Sequence, residues 1–297
     1  MSASLQEALE DAHQKKKNSL LIVNKKGMHS GVKCADCGHE FNCEHCALPM
    51  SLNKENKLTC YRCNSSITLP SSCPKCHGFN MLRLGIGIEQ VEKFLRQKYG
   101  QDVVLLNDKP SFVSQGKIYL STGQYLSEKL LGSINLLGFV YIDSQVHLSD
   151  FTSNKRLYSF AREIIASCSP DEIIFQTAFT NNEAIKSLNF PYSQFYIKEL
   201  SSRQEFGYPP FSTAVKLVFD HHDCDVAERE AHELYKKIVQ ANNKLKISEP
   251  FLTYRQKVRN RYRYQIVIFF ANFEEENQII KNVPEYWAID KEPVNVL

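Results

Sequence analysis

Eight cysteines between positions 34 and 76 constrain this chain more than any other feature of its sequence. They form four Cys-x-x-Cys pairs, namely Cys34 with Cys37, Cys43 with Cys46, Cys60 with Cys63 and Cys73 with Cys76. Zinc takes four ligands in a tetrahedron, and a two-residue spacer lets two thiolates reach one ion. The four pairs therefore predict two closed sites for structural Zn²⁺, with no open position for a catalytic water. Spacing alone does not decide which pairs share an ion.

The same cysteines have two other interpretations: free or disulfide-linked thiols, and an iron–sulfur cluster. We favour zinc because four correctly spaced pairs rarely arise by chance, and because the flanking sequence is typical of an intracellular protein, in which thiolates bind metal. His45 and His77 are interpreted as solvent-facing spacer residues, since the thiolates already complete both sites. Cys168 and Cys224 stand alone and are interpreted as ordinary buried residues.

Two glycines follow the outer pairs, Gly38 after Cys37 and Gly78 shortly after Cys76. Both fit a tight knuckle turn, in which a positive φ costs glycine little. We therefore expect both glycines to adopt the left-handed conformation.

The composition is that of a soluble globular protein large enough for two ordinary domains. The chain has 297 residues, of which 43% are hydrophobic and 23% are charged. Its net charge of +3 is too small to indicate a nucleic-acid binder by itself. Met1–Asn18 is polar with a helical pattern, and the longest apolar runs, Leu20–Val23 and Ile266–Ala271, are too short to span a bilayer. These features predict a cytoplasmic protein with no membrane association.

Three regions differ in pattern. Residues 1–32 and 80–195 alternate short apolar runs with helical periodicity, which predicts an α/β domain with a mostly parallel sheet covered on both faces. Residues 33–79 interrupt this pattern and cannot build a core of their own. Residues 196–297 are typical of a compact α+β domain.

Individual elements follow from the periodicity. The predicted strands of the first domain are Ser19–Asn24, Val103–Leu106, Lys117–Ser121, Gly138–Ile142 and Glu172–Gln176. Its predicted helices are Ile88–Tyr99, with Val91, Phe94 and Leu95 on one face, and Leu157–Ala166. The last domain is expected to contain strands Ala214–Asp220 and Tyr262–Phe270 and a helix over Asp225–Ala241.

The best candidate for a nucleic-acid surface is Tyr254–Tyr264. Its basic residues alternate with uncharged ones, without an acid among them: Arg255, Lys257, Arg259, Arg261 and Arg263. On a strand the last three would line one face about 7 Å apart, a spacing that suits successive phosphates, while Tyr262, Tyr264, Ile266 and Ile268 turn toward the core. Tyr254 or Tyr262, if exposed, could stack on a base. The alternative is a solvated sheet face with no partner.

The chain also contains six short stretches with a shared resemblance. They are Asn24–Gly27, Gly85–Gln90, Asp150-Phe151, Tyr208–Phe211, Arg259–Gln265 and Ile289–Pro293. Together with the cysteine array, and in this order, they resemble the C-terminal half of the primosomal protein N′ (PriA) family, the superfamily 2 helicases of replication restart. The resemblance implies a helicase second lobe (a RecA-like parallel sheet) with a two-zinc insert, followed by a small α+β domain.

The resemblance also implies how the cysteines pair and what the chain contacts. In that family the pairs are nested, which assigns Cys34, Cys37, Cys73 and Cys76 to one ion and Cys43, Cys46, Cys60 and Cys63 to the other. The implied partners are forked or single-stranded DNA, with primosome proteins or single-stranded-DNA-binding proteins as further candidates.

The ATPase motifs depart from the family. No Gly-x-x-x-x-Gly-Lys-Ser/Thr phosphate loop occurs, and Arg162–Ser169 lacks both glycines and both finger arginines of the family's motif. The family's Gly-Thr-Gln-Met motif is reduced to Ser121-Thr122-Gly123-Gln124. We therefore expect that this chain does not hydrolyse ATP, whether it is a piece of a longer protein or a divergent paralogue.

Three hypotheses follow. The first is a non-catalytic, zinc-containing DNA-binding protein of replication restart. The second is an ATP-dependent 3′–5′ DNA helicase whose first lobe is absent from this sequence. The third is a zinc-stabilised protein–protein adaptor without nucleic-acid affinity.

Overall fold

The computed structural model describes residues 1–23, 31–45, 48–60, 63, 65–107, 113–142, 150–294 and 296. These residues divide into two compact units. The first contains residues 1–41, 49–147 and 153–191, and the second contains residues 42–48, 148–152 and 192–297. The predicted resemblance at Asn24–Gly27 lies outside the described residues.

The secondary structure follows the predicted alternation of helices and strands. The helices are α1 (Ala3–Gln14), α2 (Ile88–Tyr99), α3 (Glu128–Leu131), α4 (Ser153–Cys168), α5 (Glu183–Ser187), α6 (Tyr192–Glu205), α7 (Cys224–Ala241) and α8 (Phe273–Ile280). The strands are β1 (Asn18–Ile22), β2 (Gly31–Cys34), β3 (Ser51–Leu52), β4 (Lys57–Thr59), β5 (Ser66–Thr68), β6 (Met81–Leu84), β7 (Val103–Leu105), β8 (Ile118–Ser121), β9 (Ile134–Val140), β10 (Glu172–Gln176), β11 (Thr213–His221), β12 (Lys246–Ile247), β13 (Phe251–Val258), β14 (Arg261–Phe270) and β15 (Ala288–Lys291).

A five-stranded parallel sheet forms the centre of the first unit, with strand order β10-β9-β1-β8-β7. All residues of β1 and β8 are buried, as expected for strands covered on both faces. The mostly parallel α/β sheet predicted from the sequence is confirmed. Both bounds of one strand are wrong: the strand predicted at Gly138–Ile142 begins at Ile134 and ends at Val140, and Tyr141 has a φ of 61° that no strand residue adopts.

Helices cover both faces of this sheet. On one face, Leu5 and Leu9 of α1 and Val91 of α2 pack against sheet residues that include Leu21. On the other face, Phe139 of β9 meets α4, whose buried residues lie along one stripe. Helix α2 has the predicted bounds, but the prediction that Phe94 lies on its buried face is wrong. The Phe94 side chain is 43% exposed, because the stripe that faces the sheet runs through Ile88, Val91 and Leu95.

The cysteine-rich region carries only short strands. β2 and β6 pair in an antiparallel ribbon, and β3, β4 and β5 form a three-stranded antiparallel sheet. Most residues of β5 and β6 are exposed. The Lys54 backbone N–H donates to the Glu89 carboxylate at 2.9 Å, which ties the tip of the β3–β4 hairpin to the first turn of α2.

The second unit contains a βαββαβ arrangement. Its antiparallel sheet has the order β12-β14-β11-β15, with β13 also paired to β14, and the principal strands therefore follow the 4-1-3-2 order of the split βαβ, ferredoxin-like topology. Helix α7 packs its buried stripe, which includes Ala227, Ala231 and Leu234, on this sheet. The compact α+β C-terminal region predicted from the sequence is confirmed. Among the described residues, the longest helices are too short or too polar to cross a membrane.

Candidate metal centre and nucleic-acid interface

The four cysteine pairs start with the same backbone turn. In each pair, the N–H of the first cysteine donates to the carbonyl oxygen of the fifth residue after it. The bonds are Cys34 to His39 at 2.8 Å, Cys43 to Leu48 at 2.8 Å, Cys60 to Ser65 at 2.9 Å and Cys73 to Gly78 at 2.8 Å. The regular spacing in the sequence thus corresponds to one backbone hydrogen bond that is repeated at the first cysteine of every pair.

The first and last pairs assemble one four-cysteine group. The Sγ atoms of Cys34, Cys37, Cys73 and Cys76 all lie within 4.8 Å of one another. The Cys34 and Cys76 sulfur atoms are 3.6 Å apart, as are those of Cys37 and Cys73, so these residues are not bonded as disulfides. Pairing of β2 with β6 brings the two ends of the region together, with Cys34 opposite Met81.

The acid–base properties of this group favour a cation at its centre. For Cys73, burial disfavours the thiolate, but the hydrogen bonds from the backbone N–H groups of Cys76 and Lys75 and from the Cys37 and Cys76 thiols together outweigh burial and lower the pKa to about 7. For Cys76, the N–H of Gly78 favours the thiolate, but the neighbouring Cys37 thiol, burial and the other two thiols outweigh it and raise the pKa to about 12. Four thiols this close cannot all ionise without a positive charge among them, and a divalent ion supplies it.

A second group contains Cys43, Cys60 and Cys63, whose Sγ atoms also lie within 4.8 Å of one another. The Cys63 thiol lies 3.3 Å from the Ser65 hydroxyl oxygen. Cys46, the fourth predicted member, lies outside the described residues. The described chain therefore assembles one group of four and one group of three cysteines, and both are able to bind a metal ion.

Two predictions about the spacer residues hold and one is wrong. His45 and His77 are exposed and belong to neither group, as predicted. Gly38 has the predicted left-handed φ of 75°, but the prediction for Gly78 is wrong, since His77 takes that conformation with a φ of 60°. His77 immediately follows Cys76 as Gly38 immediately follows Cys37, so the turn places its positive φ one residue before Gly78.

The isolated cysteines differ from each other. Cys168 is buried, as predicted, and burial raises its pKa to about 11. Cys224 is only partly buried, so the prediction of a buried residue is wrong there. It starts α7, whose first turn faces solvent on one side.

The predicted nucleic-acid segment is a hairpin rather than one strand. Arg259 and Asn260 both have a positive φ, of 50° and 61°, and Val258 pairs with Arg261. These values define a two-residue loop of the type I′ class between β13 and β14. The prediction that Arg259 lines a strand face with Arg261 and Arg263 is therefore wrong, because Arg259 lies exposed in the turn. Asn260 was the sequence signal for this turn, since asparagine tolerates the left-handed conformation.

The remaining predicted residues divide between the two faces of the hairpin. Arg261 and Arg263 share one face of β14, and Arg263 lies opposite Asp220 of β11. The Arg261 guanidinium donates to the Asp220 carboxylate at 2.8 Å and approaches His222 Nε2 at 3.3 Å. Asp220 and His222 were not among the predicted site residues, because they lie 39 or more positions away in the sequence.

Lys257 and Tyr262 lie on the opposite face, where they are cross-strand neighbours. The Lys257 ammonium lies 4.4 Å from the centroid of the Tyr262 ring, a cation–π arrangement. Tyr262 is partly buried against the core, and Tyr264, Ile266 and Ile268 are core residues, as predicted. The side chains of Tyr254 and Arg255 lie outside the described residues.

Three of the motifs that resemble the primosomal family converge in the second unit. A cavity of about 420 Å³ is lined by residues of all three stretches, including Phe151, Pro209, Phe211 and Pro293. The Phe151 ring stacks on Tyr208 at a centroid distance of 5.3 Å. No local sequence pattern indicated that these stretches, separated by 50 or more residues, share one cavity.

The region that lacks the finger arginines is helical. Helix α4 continues to Cys168, and the Ser167 hydroxyl donates to the Glu163 carbonyl oxygen at 2.8 Å. In the reduced Gly-Thr-Gln-Met stretch, the Ser121 hydroxyl donates to the Gln124 carbonyl oxygen at 2.6 Å and closes a tight loop after β8.

Comparison with known proteins gives a consistent result. Residues 204–294 match the family model described as the primosomal protein N C-terminal domain. The whole chain aligns at 25% identity with replication restart protein PriA of Bacillus subtilis (strain 168), of which it covers 39%. It aligns at 25% identity with the PriA of Borreliella burgdorferi, covering 100% of this chain and 49% of that protein. For Chlamydia pneumoniae PriA the identity is 28%, over 84% of this chain and 36% of that protein.

The chain thus spans between about a third and a half of the length of these relatives. This chain is similar over its whole length to replication restart protein PriA, and the matches fit the C-terminal half of that protein.

Proposed function

We propose that this chain is a zinc-containing DNA-binding protein of replication restart, of the PriA type. The observation that carries the proposal is the four-cysteine group formed by the first and last pairs. The matches to PriA along the whole chain support the same role. In this proposal residues 1–32 and 80–195 are a helicase lobe, residues 33–79 are the zinc insert and residues 196–297 are the C-terminal domain.

The two ions would be structural Zn²⁺. Cys34, Cys37, Cys73 and Cys76 would hold the first, and Cys43, Cys46, Cys60 and Cys63 the second. The sulfur donors fit zinc, and a four-thiolate shell leaves no open position, so the ions would fold the insert rather than activate water. The nested grouping in the structure supports this assignment for the seven described cysteines.

Elemental analysis of the purified protein tests the zinc assignment. We expect two zinc ions per chain, one in a Cys73→Ser variant and one in a Cys60→Ser variant, because each substitution breaks a different shell. A Cys168→Ser variant is the matched control and should retain both ions. Absence of zinc from the unmodified protein, or iron in its place, would contradict the assignment.

DNA would contact the basic hairpin around the β13–β14 turn. Arg259 is exposed at its tip, and Arg261 and Arg263 follow on β14. The contacts would be to phosphates, because no base-reading geometry is needed for a forked or single-stranded substrate. Arg261 would have to share its charge with Asp220, so we expect Arg259 to contribute more than Arg261.

Fluorescence anisotropy with forked DNA at several salt concentrations tests this surface. Replacing Arg259, Arg261 and Arg263 with Ala should weaken binding to all sequences and reduce the salt dependence by roughly three phosphate contacts. The matched control removes three positive charges elsewhere, by substituting the exposed Lys236, Lys237 and Lys244 with Ala. Equal affinity of the arginine variant and the unmodified protein would exclude the hairpin.

The other two hypotheses predict different results in the DNA-binding measurement and in an ATPase assay. No DNA binding by a zinc-loaded protein would favour the protein–protein adaptor. Hydrolysis of ATP stimulated by single-stranded DNA would favour the helicase. We expect no hydrolysis by this chain, because serine and cysteine stand where the family's finger region requires arginine and glycine.

A further inference from the structure

Asp36 lies in the spacer of the first cysteine pair, yet its carboxylate contacts the segment that follows the last pair. The Asn80 side-chain amide donates to Asp36 Oδ1 at 2.8 Å. The adjacent backbone N–H of Ala35 donates to the Asn80 carbonyl oxygen, also at 2.8 Å. Asn80 is therefore joined to two consecutive residues of the first pair's spacer, 44 and 45 positions earlier in the sequence, beside the four sulfur atoms of the first group.

Gly78 completes this contact by having no side chain. A Cβ atom at this position would lie 2.0 Å from Asp36 Oδ2 and 3.3 Å from Cys76 Sγ. The first distance is far inside van der Waals contact, so any larger residue would push the Asp36 carboxylate away. Since Gly78 lacks a positive φ, the space taken by Asp36, rather than backbone conformation, accounts for the glycine.

The position of Asp36 is not explained by charge stabilisation of the thiolates. Its Oδ2 lies 3.9 Å from Cys34 Sγ, and a carboxylate at that distance disfavours a second negative charge. What Asp36 contributes is a connection between the two ends of the region. Preorganised ligands lose less conformational entropy when they bind an ion, so such a connection strengthens metal binding without touching the metal.

We propose that Asp36, Asn80 and Gly78 form a latch, that is, a contact between the first and last cysteine pairs that positions their four thiolates for one ion. The proposal rests on the zinc assignment above. Asp36 and Asn80 are positioning residues and not ligands. The latch would act on the first ion alone, because the Cys43, Cys60 and Cys63 group has no member in it.

Chelator competition on the intact zinc-loaded chain tests the latch, and the second ion provides an internal reference. An Asn80→Ala variant should lose affinity for one of its two ions by roughly fivefold, the effect of one hydrogen bond, and retain the other unchanged. A Gly78→Ala variant should lose roughly tenfold or more, again for one ion. Asn243→Ala, an exposed change in the second unit, is the control and should alter neither.

A double variant makes the test specific to the geometry. Removing the Asp36 carboxylate opens the space that a Cβ at position 78 would fill. Asp36→Ala combined with Gly78→Ala should therefore bind the first ion more tightly than Gly78→Ala alone. Substitution of Zn²⁺ by Co²⁺ gives a second readout, because the visible spectrum of tetrahedral thiolate-bound cobalt reports the ligand geometry at the affected site.

The outcomes separate the two proposals. If the unmodified chain binds two ions and Gly78→Ala binds both with unchanged affinity, the latch is refuted and the zinc assignment stands. The same holds if adding Asp36→Ala to Gly78→Ala does not raise the affinity for the first ion. If the unmodified chain binds no ion, both proposals fail. A loss of affinity for one ion in Gly78→Ala, with part of that affinity restored in the double variant, supports the latch.

Discussion

In the central parallel sheet every residue of β1 and β8 is buried, whereas in the cysteine-rich region most residues of β5 and β6 face solvent. The two regions belong to one chain and are joined through the Lys54–Glu89 contact, yet they are stabilised by different means. The sheet removes apolar surface from water along its whole length. The cysteine-rich region has little such surface to remove and depends on what its thiols bind.

The difference explains why the pattern of hydrophobic residues predicts one region and the spacing of single residues predicts the other. Burial is non-directional and tolerates exchanges among apolar residues, so the sheet is recognised from patterns of hydrophobicity. A metal site requires four ligands in one geometry, so it is recognised from the positions of single residues. The predictions below test whether the two regions are stabilised as independently as this comparison implies.

The largest expected effect follows removal of metal. Chelation should disorder β2–β6 and β3–β5, because metal binding supplies on the order of 10 kcal/mol per structural thiolate site. The backbone amides of the parallel sheet should stay protected from hydrogen exchange, since the core of the sheet contains none of the cysteine ligands. Hydrogen exchange measured with and without chelator checks this. Equal loss of protection in β1, β8 and β9 would show that the two regions unfold together.

A core truncation tests whether a less stable parallel sheet leaves the cysteine-rich region intact. Phe139 is buried and stacks on Phe175 at a centroid distance of 5.1 Å. Phe139→Ala should lower the free energy of unfolding by about 3–5 kcal/mol, through lost burial and the cavity left behind. Denaturant titration measures this, and zinc content measured on the folded variant should stay at the unmodified value.

Phe94→Ala is the matched control for this truncation. The Phe94 side chain is 43% exposed on α2, so we expect a loss of less than about 1.5 kcal/mol. An effect of Phe94→Ala as large as that of Phe139→Ala would contradict the burial pattern of α2.

The smallest expected effect concerns the charges beside the sheet. Hydrogen bonding from Lys117 lowers the pKa of Asp102 below its ordinary value, with a further contribution from His13. The Asp102 carboxylate therefore contributes stability above the ordinary carboxyl pKa of about 3.9, and that stability is lost as pH falls through the lower folded value. Because the Asp102 side chain is 40% exposed, the contribution should stay below about 1 kcal/mol.

Denaturant titrations of Asp102→Asn at neutral and acidic pH check this sign. The variant should be slightly less stable than the unmodified protein at neutral pH, and the difference should shrink as the pH falls through the lowered pKa of Asp102 and vanish below it. Glu7→Gln, a change on the exposed side of α1, is the control and should show no such convergence. A difference that grows as the pH falls would contradict the assigned direction.

Much of the fold follows from local patterns. Helix α2 has the bounds that its periodicity predicts, and Glu172–Gln176 forms the predicted strand. Errors occur where the local pattern admits two structures. Alternating arginines suit either a strand or a hairpin with a two-residue loop, and the left-handed pair Arg259-Asn260 forms the second. Phe94 fits a helical stripe by spacing, but the sheet contacts the neighbouring residues instead.

In the candidate site, too, the local features could be predicted from the sequence and the long-range contacts could not. The ligand residues were evident from spacing, because two thiolates of one pair must be near neighbours in the chain. The partners of the spacer and hairpin residues were not, since Asp36 meets Asn80 and Arg261 meets Asp220 only after distant segments are packed. No local pattern carries information about a hydrogen bond between positions 40 residues apart.

By itself the sequence determined that this chain has four thiol pairs, an α/β region with a parallel sheet and an α+β C-terminal region. Each of these follows from residue types and short-range periodicity, which act over a few positions. The tertiary structure decided which pairs come together, which face each arginine occupies and which stretches share the cavity around Phe151. These features depend on how strands pair across long separations, and that pairing is set by the packing of the whole core.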